Sequence, residues 1–141
     1  MQNAIWVVPR IFSSHDFIVT AEAKGIPLAY EMARQGCRHY FVARKATKLY
    51  MTNPLEVSVR SITTDHLQHL YLSEEEAEQI KGKRVLIADD VISTGESLSA
   101  VAKLVEAAGG IIVGCAAVLA EGDAAERSDI VFLEKLPLFF K

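Results

Sequence analysis

Five short runs in this chain are almost wholly apolar instead of alternating with polar residues. They are Phe17-Ile18-Val19-Thr20, Tyr40-Phe41-Val42-Ala43, Val85-Leu86-Ile87-Ala88, Ile111 to Leu119 and Ile130-Val131-Phe132-Leu133. A strand with one wet face alternates, whereas a strand apolar on both faces must be covered on both. The segments between these runs carry helix signals. Pro27 to Gln35 opens on a residue suited to a first helical turn and is followed by Gly36. Ser97 to Ala108 is apolar at 98, 101, 104, 105 and 108, a helical period, and Gly109-Gly110 stops it. Ser73 caps a short acidic helix that begins Glu74-Glu75-Glu76 and ends by Gly82. This alternation predicts an α/β fold: a three-layer sandwich with a mostly parallel central sheet. Residues 57–62 and 67–72 are predicted to pair as a hairpin around Thr63-Thr64-Asp65-His66.

At 141 residues, a single domain over 1–141 is expected. The net charge of −3 argues against a polybasic surface for nucleic acid or membrane. No apolar run approaches the roughly 18 residues of a spanning helix, and the start, Met1-Gln2-Asn3-Ala4-Ile5-Trp6, lacks the pattern of a signal peptide. Cys37 and Cys115 are too few for a disulfide framework or a four-ligand zinc site. Both read as thiols in a reducing, cytoplasmic setting.

In parallel sheets, ligands bind beyond the carboxyl ends of the strands. Three loops leave such ends: 21–25, 44–54 and 89–97. The last is the most informative. Val85-Leu86-Ile87-Ala88 runs into Asp89-Asp90, then Val91-Ile92-Ser93-Thr94-Gly95-Glu96-Ser97 leads into a helix. A helix start offers unpaired N–H groups and partial positive charge. The hydroxyls of Ser93, Thr94 and Ser97 add donors, and Gly95 lets backbone approach closely. Together these suit a phosphate dianion without Lys or Arg. Ionised carboxylates only accept, and a vicinal diol offers two matching O–H donors. The plainer reading makes Asp89 and Asp90 turn caps, although a cap needs one acceptor and the second adds repulsion.

This string resembles the phosphoribosyl-diphosphate (PRPP) binding motif of the type I phosphoribosyltransferases: apolar residues, two acids, two apolar residues, then small-Thr-Gly-x-Ser. The resemblance implies that Asp89 and Asp90 contact the ribose hydroxyls and act in catalysis, and that Ser93, Thr94, Gly95, Glu96 and Ser97 wrap the 5-phosphate. Glu96 stands where relatives often carry Gly, so its side chain must turn away from the anion.

Ala21-Glu22-Ala23-Lys24-Gly25 read alone is a connecting turn or a weak anion loop. Beside the first motif it resembles the pyrophosphate loop of the adenine and xanthine branch, which assigns Glu22, Ala23, Lys24 and Gly25 to PRPP, with Glu22 ordering the loop or meeting magnesium through water. Arg44, Lys45 and Lys48 are either a solvated patch or the cations that neutralise the leaving pyrophosphate. The second reading resembles the Arg-Lys that opens the branch's mobile lid, here a hairpin lid over about 46–66, which would exclude water from an oxocarbenium-like ribose. Ser61-Ile62-Thr63-Thr64 has no acid followed by Tyr, which is closer to the xanthine enzymes than to the adenine ones.

The resemblance covers about Asp16 to Leu119. It implies a purine-salvage enzyme of adenine or xanthine type that transfers phosphoribosyl from PRPP to a purine base. Magnesium would be carried mainly by PRPP and not by a protein cage, and the assembly would be a homodimer. The stretch 1–15 is shorter than the base-covering hood of relatives. Glu121-Gly122-Asp123 borders the base or is a solvent loop. The apolar run from Leu136 to Phe140 suits coverage by a second copy. His66 and His69 read as surface histidines. The alternative function is a PRPP-binding regulator or a silent homologue, but the chain has no basic helix–turn–helix segment.

Overall fold

A computed structural model describes residues 15–36, 39–60, 66–92, 95–121 and 130–136, with residues 120, 121 and 130–136 described in backbone course only. In chain order the elements are β1 (Phe17–Ala21), α1 (Ile26–Gln35), β2 (His39–Ala43), β3 (Leu55–Arg60), β4 (Leu67–Leu72), α2 (Glu74–Ile80), β5 (Arg84–Ile92), α3 (Glu96–Ala107), β6 (Ile111–Glu121) and β7 (Ile130–Leu136). Five strands form one sheet in the order β2-β1-β5-β6-β7, and every neighbouring pair is parallel.

The two-faced apolar strands explain the layers. Successive side chains point to opposite faces. Ile18, Leu86, Ala88 and Ala116 pack with Leu28, Ala29 and Met32 of α1. Val19, Val85, Ile87 and Ala117 pack with Leu98, Val101, Leu104 and Val105 of α3, Ile80 of α2 and Leu70 and Leu72 of β4. Each fully buried aliphatic side chain contributes about 1.5–3 kcal/mol. The sheet is therefore covered on both sides, as the sequence requires.

Helix ends follow the sequence signals closely. Pro27 sits in the first turn of α1, and the Gly36 N–H donates to Met32 O at 3.2 Å. Ser73 and Glu76 form a reciprocal cap on α2: the Glu76 N–H donates to Ser73 Oγ at 3.2 Å, and the Ser73 N–H to Glu76 Oε1 at 3.0 Å.

Two boundaries differ from the sequence expectation. β5 does not stop at Ala88 but runs through both acids to Ile92, because β6 is long enough to keep pairing with it (Asp89↔Ala117, Val91↔Leu119, Ile92↔Ala120). The acids are thus strand residues, not loop residues. The strands β3 and β4 do pair as the expected antiparallel hairpin, but β3 starts at Leu55, two residues earlier than expected, and Val57, Val59, Leu70 and Leu72 pack into the α3 side of the core. The expected hairpin tip at 61–65 lies outside the described residues.

The strand order places a switch between β1 and β5: the chain moves outward from β1 to β2, then returns to the other side of β1. That pair is hydrogen-bonded only as far as Val19↔Ile87, whereas β1 stays with β2 to Ala21↔Ala43 and β5 stays with β6 to Ile92↔Ala120. The sheet therefore parts between β1 and β5 at its carboxyl edge, where such folds bind ligands.

Candidate active site

Segment 22–25 closes this opening. It carries Ala23 and Lys24 exposed and Gly25 buried, and the Glu22–Ala23 peptide is cis. A Cβ on Gly25 would lie 2.1 Å from Thr20 Oγ1 and 3.4 Å from Asp89 Oδ1. Only glycine lets the loop sit this deep against both strands.

Asp89 forms the floor, and Asp90, half-buried, follows it on β5. Asp89 Oδ1 accepts the Asp90 N–H at 2.8 Å. Burial, reinforced by the adjoining Asp90 carboxyl, pushes the Asp89 carboxyl up to about 7, although the Asp90 N–H and the Lys45 charge pull the other way. A carboxyl poised near neutrality beside a second acid accepts O–H donors once ionised, without a cation neutralising it outright.

Next to Asp89 lies a cavity of about 110 Å³ lined by Val91, Ile92, Gly95, Glu96, Ser97 and Leu98. Gly95 is the N-cap of α3, with φ 84°, a left-handed conformation that disfavours side chains. The start of α3 therefore lies on this cavity, where a helix can offer N–H donors to an acceptor. Ser93 and Thr94 lie outside the described residues. Ser97 also lines a second cavity of about 300 Å³, whose walls include Ala21, Glu22, Lys45, Gln68 and Ala100, so the two hollows adjoin.

The cation cluster is built around Glu22. Its Oε1 meets Arg44 Nη1 at 3.2 Å and Lys48 Nζ at 3.7 Å, and its Oε2 accepts the Lys45 N–H at 3.1 Å. That N–H first, then the Arg44 guanidinium and the Lys48 ammonium, hold the Glu22 carboxyl below its usual range, against the opposing effect of burial. Glu22 orders the loop; with its oxygens taken by these partners, it fits poorly as a magnesium ligand. The Lys45 ammonium, by contrast, meets no acid among the described residues and lines the larger cavity. Arg44 is fixed further by backbone bonds in both directions with Tyr71, at 3.0 and 2.8 Å.

The structure thus brings together Glu22, Gly25, Lys45, Asp89, Gly95, Glu96 and Ser97 at one edge. Arg44 and Lys48 are engaged by Glu22 rather than presented free. The sequence reading missed Thr20, fully buried beneath Gly25, and Gln68, which lines the larger cavity. A polar residue closing an apolar run was the available signal for Thr20; nothing local marked Gln68. His69 binds Ser58 Oγ at 2.9 Å and Glu56 Oε1 at 3.0 Å across the hairpin. Asp123, Cys37, the stretch 1–14 and residues 137–140 lie outside the described residues. Among the described residues, no three His, Cys, Asp or Glu side chains cluster as a metal cage, and no helix is long and apolar enough to cross a membrane.

The model of the phosphoribosyl transferase domain matches residues 2–137. The chain belongs to the phosphoribosyltransferase family. Among curated relatives, the hypoxanthine/guanine phosphoribosyltransferase of Methanococcus voltae is 41% identical over 120 residues, covering 85% of this chain and 60% of that protein. The enzyme of the same description from Methanocella paludicola is 39% identical over 108 residues, covering 77% and 53%. This phosphoribosyltransferase chain therefore spans about 60% or less of the length of those relatives. Among solved structures, the adenine phosphoribosyltransferase of Rhodothermus marinus superposes with TM-score 0.79 at 27% identity, covering 96% of this chain and 78% of that one. That of Thermoanaerobacter pseudethanolicus gives 0.79 at 25%, covering 96% and 80%. These relatives and neighbours place the chain in the purine branch of the type I family.

Proposed function

We propose that this chain transfers phosphoribosyl from PRPP to a purine base, releasing pyrophosphate. The observation that carries the reading is Asp89, near the carboxyl end of β5, lining the cavity at the start of α3 where β1 and β5 part. The 5-phosphate would lie on the N–H groups of Gly95 to Ser97, the ribose diol on Asp89 and Asp90, and the pyrophosphate along Glu22 to Gly25 with Lys24 and Lys45. Three separately held groups fix the anomeric carbon, so catalysis is positioning plus electrostatic stabilisation of the leaving charge. Magnesium brought with PRPP would supply further neutralisation of that charge.

For the base, the expectation from the sequence was adenine or xanthine. The curated relatives are hypoxanthine/guanine enzymes, the structural neighbours adenine enzymes, and the lid stretch 61–64 lacks the acid–Tyr pair of adenine enzymes. We rank the 6-oxopurines first. A cytoplasmic homodimer belongs to the same proposal. The test is pyrophosphate release from PRPP and magnesium with adenine, hypoxanthine, guanine or xanthine. Hypoxanthine or guanine turnover is expected, and adenine turnover alone would reverse the ranking. PRPP binding with no turnover of any base would favour the regulator or silent homologue. Absence of PRPP binding would remove the reading altogether.

A further inference from the structure

Thr20 ends the buried part of β1 with no exposed surface, and its Oγ1 has no hydrogen-bond partner among the described residues. A buried hydroxyl without a partner is rare in folded proteins, because it has given up water for nothing. Valine has the same shape and would fill this place without that loss. The hydroxyl's surroundings point to its use. Gly25 lies so close that its missing Cβ would fall 2.1 Å from Thr20 Oγ1, and the same point is 3.4 Å from Asp89 Oδ1. One glycine therefore separates an unused donor from the carboxylate at the floor of the site. Asp89 here accepts the Asp90 N–H, and a charged carboxylate can accept several donors.

We propose that Thr20 is a positioning residue of the sugar site: its hydroxyl turns onto the Asp89 carboxylate when that carboxylate carries its charge, and so holds it ready for the ribose diol. The link to ribose rests on the PRPP reading above; the link between Thr20 and Asp89 does not. Other charged groups stand around the site and belong in the account. Asp90 follows Asp89 on β5, Lys45 lies beyond β2, Glu96 stands in the first turn of α3, and Glu22 and Lys24 precede Gly25 in the loop. None of these is altered by a change at Thr20, which makes that residue a clean probe.

The experiment compares wild type, Thr20→Val and Thr20→Ser. Carboxyl carbon NMR follows Asp89 in the protein without ligand, and PRPP affinity is measured from pH 6 to pH 9. Thr20→Val keeps the volume and loses the donor, whereas Thr20→Ser keeps the donor. In Thr20→Val the Asp89 carboxyl should titrate about one pH unit higher, the equivalent of one charge-assisted hydrogen bond. PRPP affinity should fall about fivefold near pH 7, and the gap should close toward pH 9. Thr20→Ser should restore both. An Asp89 titration unmoved by Thr20→Val overturns the proposal, as does an affinity loss equal at every pH, which marks packing alone. If wild type does not bind PRPP, the titration still decides the Thr20–Asp89 link, and only the function proposed above fails.

Discussion

The two ends of the β1–β5 pair treat a carboxylate in opposite ways. At the amino end, Asp16 grips Arg84: Oδ1 accepts Arg84 Nη2 at 2.9 Å, and Oδ2 accepts the Arg84 N–H at 2.9 Å and Nε at 3.2 Å. The Asp16 N–H also donates to Arg84 O at 2.8 Å, so the strands are clamped. Hydrogen bonds from the Arg84 side chain, and then from its backbone, lower the Asp16 carboxyl to about 2. At the carboxyl end the strands part, and Asp89 has an acid for a neighbour and rises to about 7. One acid is answered by a cation within the fold, while the other sits beside a like charge. A fold gains nothing from the second arrangement on its own, which is why such sites mark function.

The largest effect that would sharpen this contrast comes from Asp89→Asn combined with Asp90→Asn. In the proposed reading, PRPP affinity or turnover should drop about 100-fold or more, since charge-assisted bonds to both hydroxyls are lost. Stability should move the other way. The Asp89 carboxyl is raised in the fold, so the folded state binds the extra proton between the unfolded carboxylate range, near 4, and about 7. Wild-type stability therefore falls as pH rises through that window and stays penalised above it. Asp89→Asn alone should raise the melting temperature at pH 8 by about 2–5 °C, with the gain shrinking as pH is lowered from 7 to 4. Calorimetry across pH checks this; a destabilised variant at pH 8 would break the contrast. PRPP affinity of the wild type should climb with pH up to about 7, with proton release on binding below it.

Gly25→Ala should have the next largest effect, because it wedges the two strands at the point where they already part. Its Cβ would meet Thr20 Oγ1 at 2.1 Å, and overpacking of this kind costs about 1–3 kcal/mol. Thermal unfolding should show the loss, and adding Thr20→Ala should recover part of it. Equal, additive losses in the double variant would mean that the contact is not the cause.

How much of this was readable from residues alone follows from the range of each interaction. The layers were legible because apolar runs such as Val85 to Ala88 state their own burial, and Pro27, Ser73 and Gly109 act within a turn of where they stand. The acid pair and Gly95 were legible as a local string. The end of β5 was not, since it depends on how far β6 runs alongside. Nor was the engagement of Arg44 and Lys48 by Glu22, which joins residues more than twenty positions apart, or the burial of Thr20 beneath a glycine five residues on. Charge clusters read along the chain give the sign of a site, and the fold then decides which charges are already answered.

The smallest effect belongs to the clamped end. Asp16→Asn removes an ion pair at an exposed rim, where side chains about a third and a half exposed are screened by water and salt. The Asp16 carboxyl is lowered in the fold, so its contribution is complete above the unfolded carboxylate range and disappears as pH falls toward about 2. The melting temperature of Asp16→Asn should therefore lie slightly below wild type at pH 7, and the difference should diminish at high salt and vanish by pH 2. PRPP affinity should be unchanged, because the clamp lies at the opposite edge of the sheet from the acid pair. A clear loss of PRPP affinity in this variant, with the fold intact, would show that the spacing of β1 and β5 at one end sets the opening at the other.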